Sequence, residues 1–167
     1  IPSTRMFLDV EGVVFDPASS IARAMRRALV RIGCPASLSE DLSWVAETPI
    51  AETLDRLVPQ DESLRNAFLE HVRRYYCGQG WRGVPCYPGM FGVLELARVE
   101  FGVEVVLVSA HPFETVSRQI QDLGLADSID AVACPPHGGC AHCRKRLVRD
   151  MVEASPRAVE HLWVTDL

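Results

Sequence analysis

Asp9 and Glu11 stand two residues apart at the end of an apolar run, and Gly12 follows them. Carboxylates this close can share a hard divalent cation, and they can divide the work of nucleophile and proton donor between them. Three other runs of strand character lead to residues of matching chemistry. The run 103–108 ends at Ser109, the run 129–133 is followed by the only lysine, Lys145, and the run 161–165 ends at Asp166. A hydroxyl with the next backbone N–H, at Ala110, can bind a phosphoryl group, an ammonium can offset its charge, and a third carboxylate completes a Mg²⁺ site. That set suits phosphoryl transfer.

A second constellation lies in Cys134-Pro135-Pro136-His137-Gly138-Gly139-Cys140-Ala141-His142-Cys143. Cys134, His137, Cys140 and Cys143 recur at a repeated x₂ spacing, with His142 as an alternative to His137. Four soft or borderline ligands are what tetrahedral Zn²⁺ takes, and a closed four-ligand set is structural rather than catalytic. The expectation is a zinc staple on the loop that delivers Lys145. Free thiols, or a Cys140–Cys143 disulfide, are the competing readings.

These residues need elements to bring them together. The apolar run 6–8 and the β-branched run 103–108 read as buried parallel strands. Strands alternate with helical patterns at 91–101, 113–123 and 144–153, which predicts a doubly wound α/β sheet of Rossmann-like type. Functional groups of such a sheet gather at the carboxyl ends of its strands. Between the first strand and this alternation the pattern is helical throughout. Ile21, Ala24, Met25, Ala28, Leu29 and Ile32 recur at helical spacing behind a cap at Ser19 or Ser20, and Gly33 stops the helix. Further helices are expected at 39–45, 50–58 and 62–76. The division is therefore a core of 1–16 with 87–167 and an inserted all-helical cap of 17–86. A core of this kind normally runs on past a strand such as 161–165, so the sequence is expected to lack its C-terminal part.

With 48% apolar and 23% charged residues, the chain of 167 residues has the composition of a globular domain. A net charge of −5 argues against nucleic acid or an anionic membrane as partner. No apolar run approaches the ~18 residues of a membrane span, and no signal-peptide layout opens the chain. A reducing cytoplasm is the expected setting, and it also favours metal over disulfides for the six cysteines.

The chain resembles the haloacid dehalogenase-like hydrolases, in particular the phosphoglycolate-phosphatase-like branch with a helical cap. Asp9-Val10-Glu11-Gly12-Val13-Val14-Phe15-Asp16 lies over that family's opening motif Asp-x-Asp-Gly-Thr-Leu-x-Asp. Leu107-Val108-Ser109 resembles the second motif and Trp163-Val164-Thr165-Asp166 the fourth, while Thr48–Leu54 and Cys86-Tyr87-Pro88-Gly89 resemble a cap helix and the return to the core. Cys143-Arg144-Lys145 is similar to the end of the zinc loop in heptose-bisphosphate and histidinol-phosphate phosphatases. The resemblance implies a Mg²⁺-dependent phosphatase acting on a small phosphorylated metabolite. Asp9 would be the nucleophile, Glu11 the acid and base, and the carboxylates of Asp9 and Asp166 with the backbone carbonyl of Glu11 the Mg²⁺ ligands. Ser109 and Ala110 would bind phosphate, and Lys145 would orient Asp9. Glu at 11 and Val at 13 depart from the family's Asp and Thr. They keep open a catalytically impaired member acting as a binding module; a phosphomutase of the same superfamily is a further alternative.

Overall fold

The computed structural model describes residues 4–34, 41–135, 141–156 and 159–165; of Ala141 and His142 only the backbone is described. The chain divides into two compact units, 1–16 with 85–167, and 17–84.

The first unit is built on a four-stranded parallel sheet of order β3-β2-β1-β4, with β1 Thr4–Asp9, β2 Glu104–Val108, β3 Ala131–Ala133 and β4 Glu160–Val164. The α/β parallel architecture read from the sequence is therefore present. β1 is central, pairing Leu8 with Leu107 on one side and with Val164 on the other. Because side chains alternate across a strand, Phe7, Val106, Ala131 and Trp163 share one face. On that face Phe7, Val106, Val108 and Ala133 form a buried cluster with Val148, and Met151 and Val152 pack against it. Val148, Met151 and Val152 belong to helix α6, Ala141–Glu153.

After β1 the backbone curls at once. Val10 donates to Val108 O at 2.9 Å, and Val14 and Phe15 both donate back to Val10 O. Gly12 takes φ 82°, a left-handed conformation in which a Cβ is strained, and this turn carries Glu11. Tyr87 donates to Val14 O at 2.9 Å and ties the returning chain to the loop.

The second unit is helical: α1 Ala18–Arg31, a 3₁₀ turn Ser43–Ala46, α2 Ile50–Leu57, α3 Glu62–Tyr75 and a π-helical turn Tyr76–Gly80. Its core gathers Met25, Ala28, Leu29, Leu42, Val45, Leu57, Val58 and Phe68. The start of α1 differs from the expectation. Pro17 occupies the N-cap without a side-chain hydrogen bond, and Ser20 is fully buried inside the helix. Proline's preset φ starts the helix, so no hydroxyl is needed there. The end follows the expectation: Gly33 at φ 75° donates to Val30 O and Cys34 donates to Leu29 O, a Schellman closure. In α3, Asp61 caps the helix by accepting from Leu64 N at 2.8 Å. In the first unit, helix α4 Met90–Glu95 precedes β2, and helix α5 Phe113–Asp122 joins β2 to β3.

Candidate active site

Asp9 is the last residue of β1 and is fully buried. Its register partner Val108 lies in the cluster that α6 covers, so the Asp9 side chain points to the α6 face. An ionised carboxylate in such a place costs several kcal/mol unless it is paired and hydrogen-bonded. Three donors meet that demand. Arg144 Nη1 and Thr165 Oγ1 each donate to Oδ2 at 2.6 Å, and Trp163 Nε1 donates to Oδ1 at 3.1 Å.

Glu11 lies beyond the strand, and its Oε1 is 3.0 Å from His111 Nε2, with both side chains partly exposed. Ser109, at the end of β2, is buried; its backbone N–H donates to Ala133 O at 3.1 Å and its Oγ accepts from His111 N at 3.1 Å. Ala110 follows it, half-buried. The ends of β1 and β2 thus bring Asp9, Glu11, Ser109, Ala110 and His111 to one edge of the sheet.

Lys145 is not among them. It is exposed on α6, and the contact with Asp9 expected of it is made by its neighbour Arg144. The reason is helical periodicity. Arg144, Val148, Met151 and Val152 fall at i, i+4, i+7 and i+8 on the face toward the sheet, and Lys145 lies about 100° away with the exposed Arg149. Asp166, the expected third Mg²⁺ ligand, lies outside the described residues, as do His137 and Cys140 of the expected zinc set. Cys134 and Cys143 are half-buried and form no disulfide, and burial pushes the Cys134 thiol up. Cys143 sits in the first turn of α6, which begins three residues earlier than the helical pattern indicated. Among the described residues no three His, Cys, Asp or Glu side chains form a metal cluster, and no helix is long and apolar enough to cross a membrane.

The contacts of Arg144, Trp163 and Thr165 with Asp9 and of His111 with Glu11 were not expected; His111 was expected only to line the crevice. Signals for the first three exist: the i, i+4 step back from Val148, and the alternation of β4, which sends 161, 163 and 165 to one side. His111 has only its position two residues after Ser109.

No family model matches the chain. Over 98% of its length it superposes, with a TM-score of 0.73 and 14% identity, on 75% of a haloacid dehalogenase-like family hydrolase from Streptococcus pneumoniae. A haloacid dehalogenase superfamily hydrolase, subfamily IA, from Geobacter sulfurreducens gives a TM-score of 0.69 at 14% identity, over 99% of this chain and 80% of that one. The fold is that of the haloacid dehalogenase-like proteins. Protein tyrosine kinase A of Mycobacterium tuberculosis is similar too, with a TM-score of 0.72 and 23% identity over 99% of this chain and 75% of that one. The curated sequence of the M. tuberculosis tyrosine-protein kinase PtkA is 25% identical over 128 residues, 77% of this chain. This match spans 43% of the relative's length.

Within this haloacid dehalogenase-like fold, Asp9 holds the end of the central strand. Its carboxylate offers about four lone-pair positions, and three are taken, two on Oδ2 and one on Oδ1. Among the described residues, one position on Oδ1 takes no donor. The oxygens of Asp9 and Glu11 are of the hard type that Mg²⁺ takes.

Proposed function

We propose that the chain is a phosphoryl-transfer enzyme, a Mg²⁺-dependent phosphatase of a small phosphate monoester. The observation that carries this reading is the buried Asp9 carboxylate at the carboxyl end of the central strand, fixed by Arg144, Trp163 and Thr165, with the Glu11–His111 pair two residues on. Asp9 attacks phosphorus and the P–O bond of the ester breaks. Glu11 gives a proton to the departing oxygen, and an aspartyl-phosphate results. Glu11 then takes a proton from water, whose oxygen attacks phosphorus and releases phosphate, restoring Asp9. His111 holds the Glu11 carboxyl group in place. Ser109 and the N–H of Ala110 bind the transferring group, and Arg144 offsets its negative charge. Asp9 and Glu11, with Asp166, would hold Mg²⁺, which neutralises charge on the phosphoryl oxygens.

An acceptor other than water turns the same first half-reaction into a transferase. Kinase is the activity in the names of the curated relatives, and a phosphomutase is the other form of this outcome. A second class of reading, an impaired binding module, draws on the occupancy of Asp9. A cation and phosphorus cannot both reach its oxygens unless one of the three donors lets go. A structural zinc held by Cys134, His137, Cys140 and Cys143 belongs to the same proposal, and metal analysis of protein purified without chelator tests it.

The deciding experiment is turnover of p-nitrophenyl phosphate with and without Mg²⁺. We expect Mg²⁺-dependent release of nitrophenol and a loss of at least about a thousandfold in Asp9→Asn with the fold retained by circular dichroism. Turnover unchanged in that variant overturns the mechanism, and no turnover of any phosphate ester in a broad panel leaves the binding module.

A further inference from the structure

The helical unit holds a trough of about 780 Å³ between α1 and the end of α3, lined by Arg27, Arg31, His71, Arg74 and Tyr75 over a floor that includes Ala28 and Gly78. Nothing in the proposed phosphatase chemistry uses it.

Its charge is unusual for this molecule. The chain carries a net −5, yet among the described residues three arginines and a histidine line the trough and no carboxylate does. Arg27 and Arg31 stand one turn apart on α1, a like-charge i, i+4 pair that by itself disfavours the helix. Arg27 lies over the Tyr75 ring at 4.6 Å, which fixes its guanidinium at the rim. Arg74 pairs with Glu70 one turn back on its own helix, and both side chains are largely exposed. Among the described residues Arg31 has no ion pair. The floor is open because its residues are small: Ala28 is buried, and a Cβ built on Gly78 would meet nothing within 4 Å.

We propose that this trough binds a small ligand carrying two or more phosphoryl groups. Guanidinium forks match phosphate oxygens two at a time. The forks here come from two walls, Arg27 and Arg31 one helical turn apart on α1, about 6 Å, and Arg74 beside His71 on α3, which suits two linked anionic groups better than one. The volume is that of a small-molecule site, and the exposed Val30 and the Tyr75 ring offer apolar surface to the rest of such a ligand. An acidic peptide would need a long cationic strip, whereas these cations line one trough of about 780 Å³.

The test is calorimetric titration of the whole chain with methylenediphosphonate, which resists hydrolysis, beside the Arg27→Gln/Arg31→Gln variant. Saturable binding is expected, weakened tenfold or more in the variant and steeply weakened by added salt. Turnover of p-nitrophenyl phosphate should stay the same in the variant, which separates this site from the Asp9 site. Because binding is read as heat, the result stands even if the chain hydrolyses nothing. Equal binding by both proteins overturns the proposal, as does an acidic peptide that binds more tightly than the diphosphonate.

Discussion

The two units of this molecule treat charge in opposite ways. In the α/β unit one carboxylate, Asp9, is fully buried and answered by three donors drawn from α6 and the β4 side. In the helical unit three arginines line an open trough, and among the described residues one of them, Arg74, is answered by a carboxylate. A buried charge has to be balanced when the chain folds, so its partners are built in and removing one is costly. Solvent balances an exposed charge until a ligand arrives, so removing it costs the fold little. The difference separates a site assembled by folding from a surface that awaits a partner.

Arg144→Met should break this contrast most sharply. It leaves Asp9 buried with Trp163 and Thr165 but without a cation, and a loss of about 3 kcal/mol in urea unfolding is expected. Lys145→Met, one residue away, should stay within about 0.5 kcal/mol because that side chain is exposed. If the two variants are equally stable, the ion pair at Asp9 is not what balances the buried charge.

That pair of variants also marks where the sequence was readable. The strands of the sheet were legible because apolar runs such as 105–108 have no polar break, and α1 because its apolar residues hold a helical period over three turns before Gly33. Asp9 and Glu11 were legible from chemistry and spacing alone. Lys145 drew the eye as the single lysine, and residue type outweighed phase. Counting back four from Val148 reaches Arg144, but the helix's start at Ala141 was hidden in a segment that also reads as a metal loop. Trp163 and Thr165 read as ordinary strand residues, because nothing local tells which side of an edge strand will meet a carboxylate on its neighbour. The start of α1 went to Pro17 for a related reason: two serines nearby matched the commoner cap, while proline sets the same geometry through its ring.

On the helical side, Arg31→Gln should change stability by no more than about 0.5 kcal/mol in the absence of ligand. It relieves repulsion with Arg27 but gives up a cation in the last turn of α1, two effects of similar size and opposite sign. A loss comparable to that of Arg144→Met would show that the trough's cations are structural, and the contrast between the units would collapse.

Trp163→Phe probes how tightly the Asp9 site is closed. The ring keeps its place on the Phe7 face, but the N–H donated to Asp9 Oδ1 is gone. Asp9 retains two donors, both on Oδ2, so the stability cost should be about 1.5–3 kcal/mol, the range for losing one hydrogen bond to a charged group. The consequence for chemistry has the opposite sign. Oδ1 gains a second open position, enough for phosphorus and a cation to reach the carboxylate without displacing Arg144 or Thr165. The phosphatase rate should therefore hold or rise while stability falls. A tenfold drop in rate would instead mean that the indole fixes Asp9 in the transition state, and that Thr165 is the donor that lets go when substrate binds.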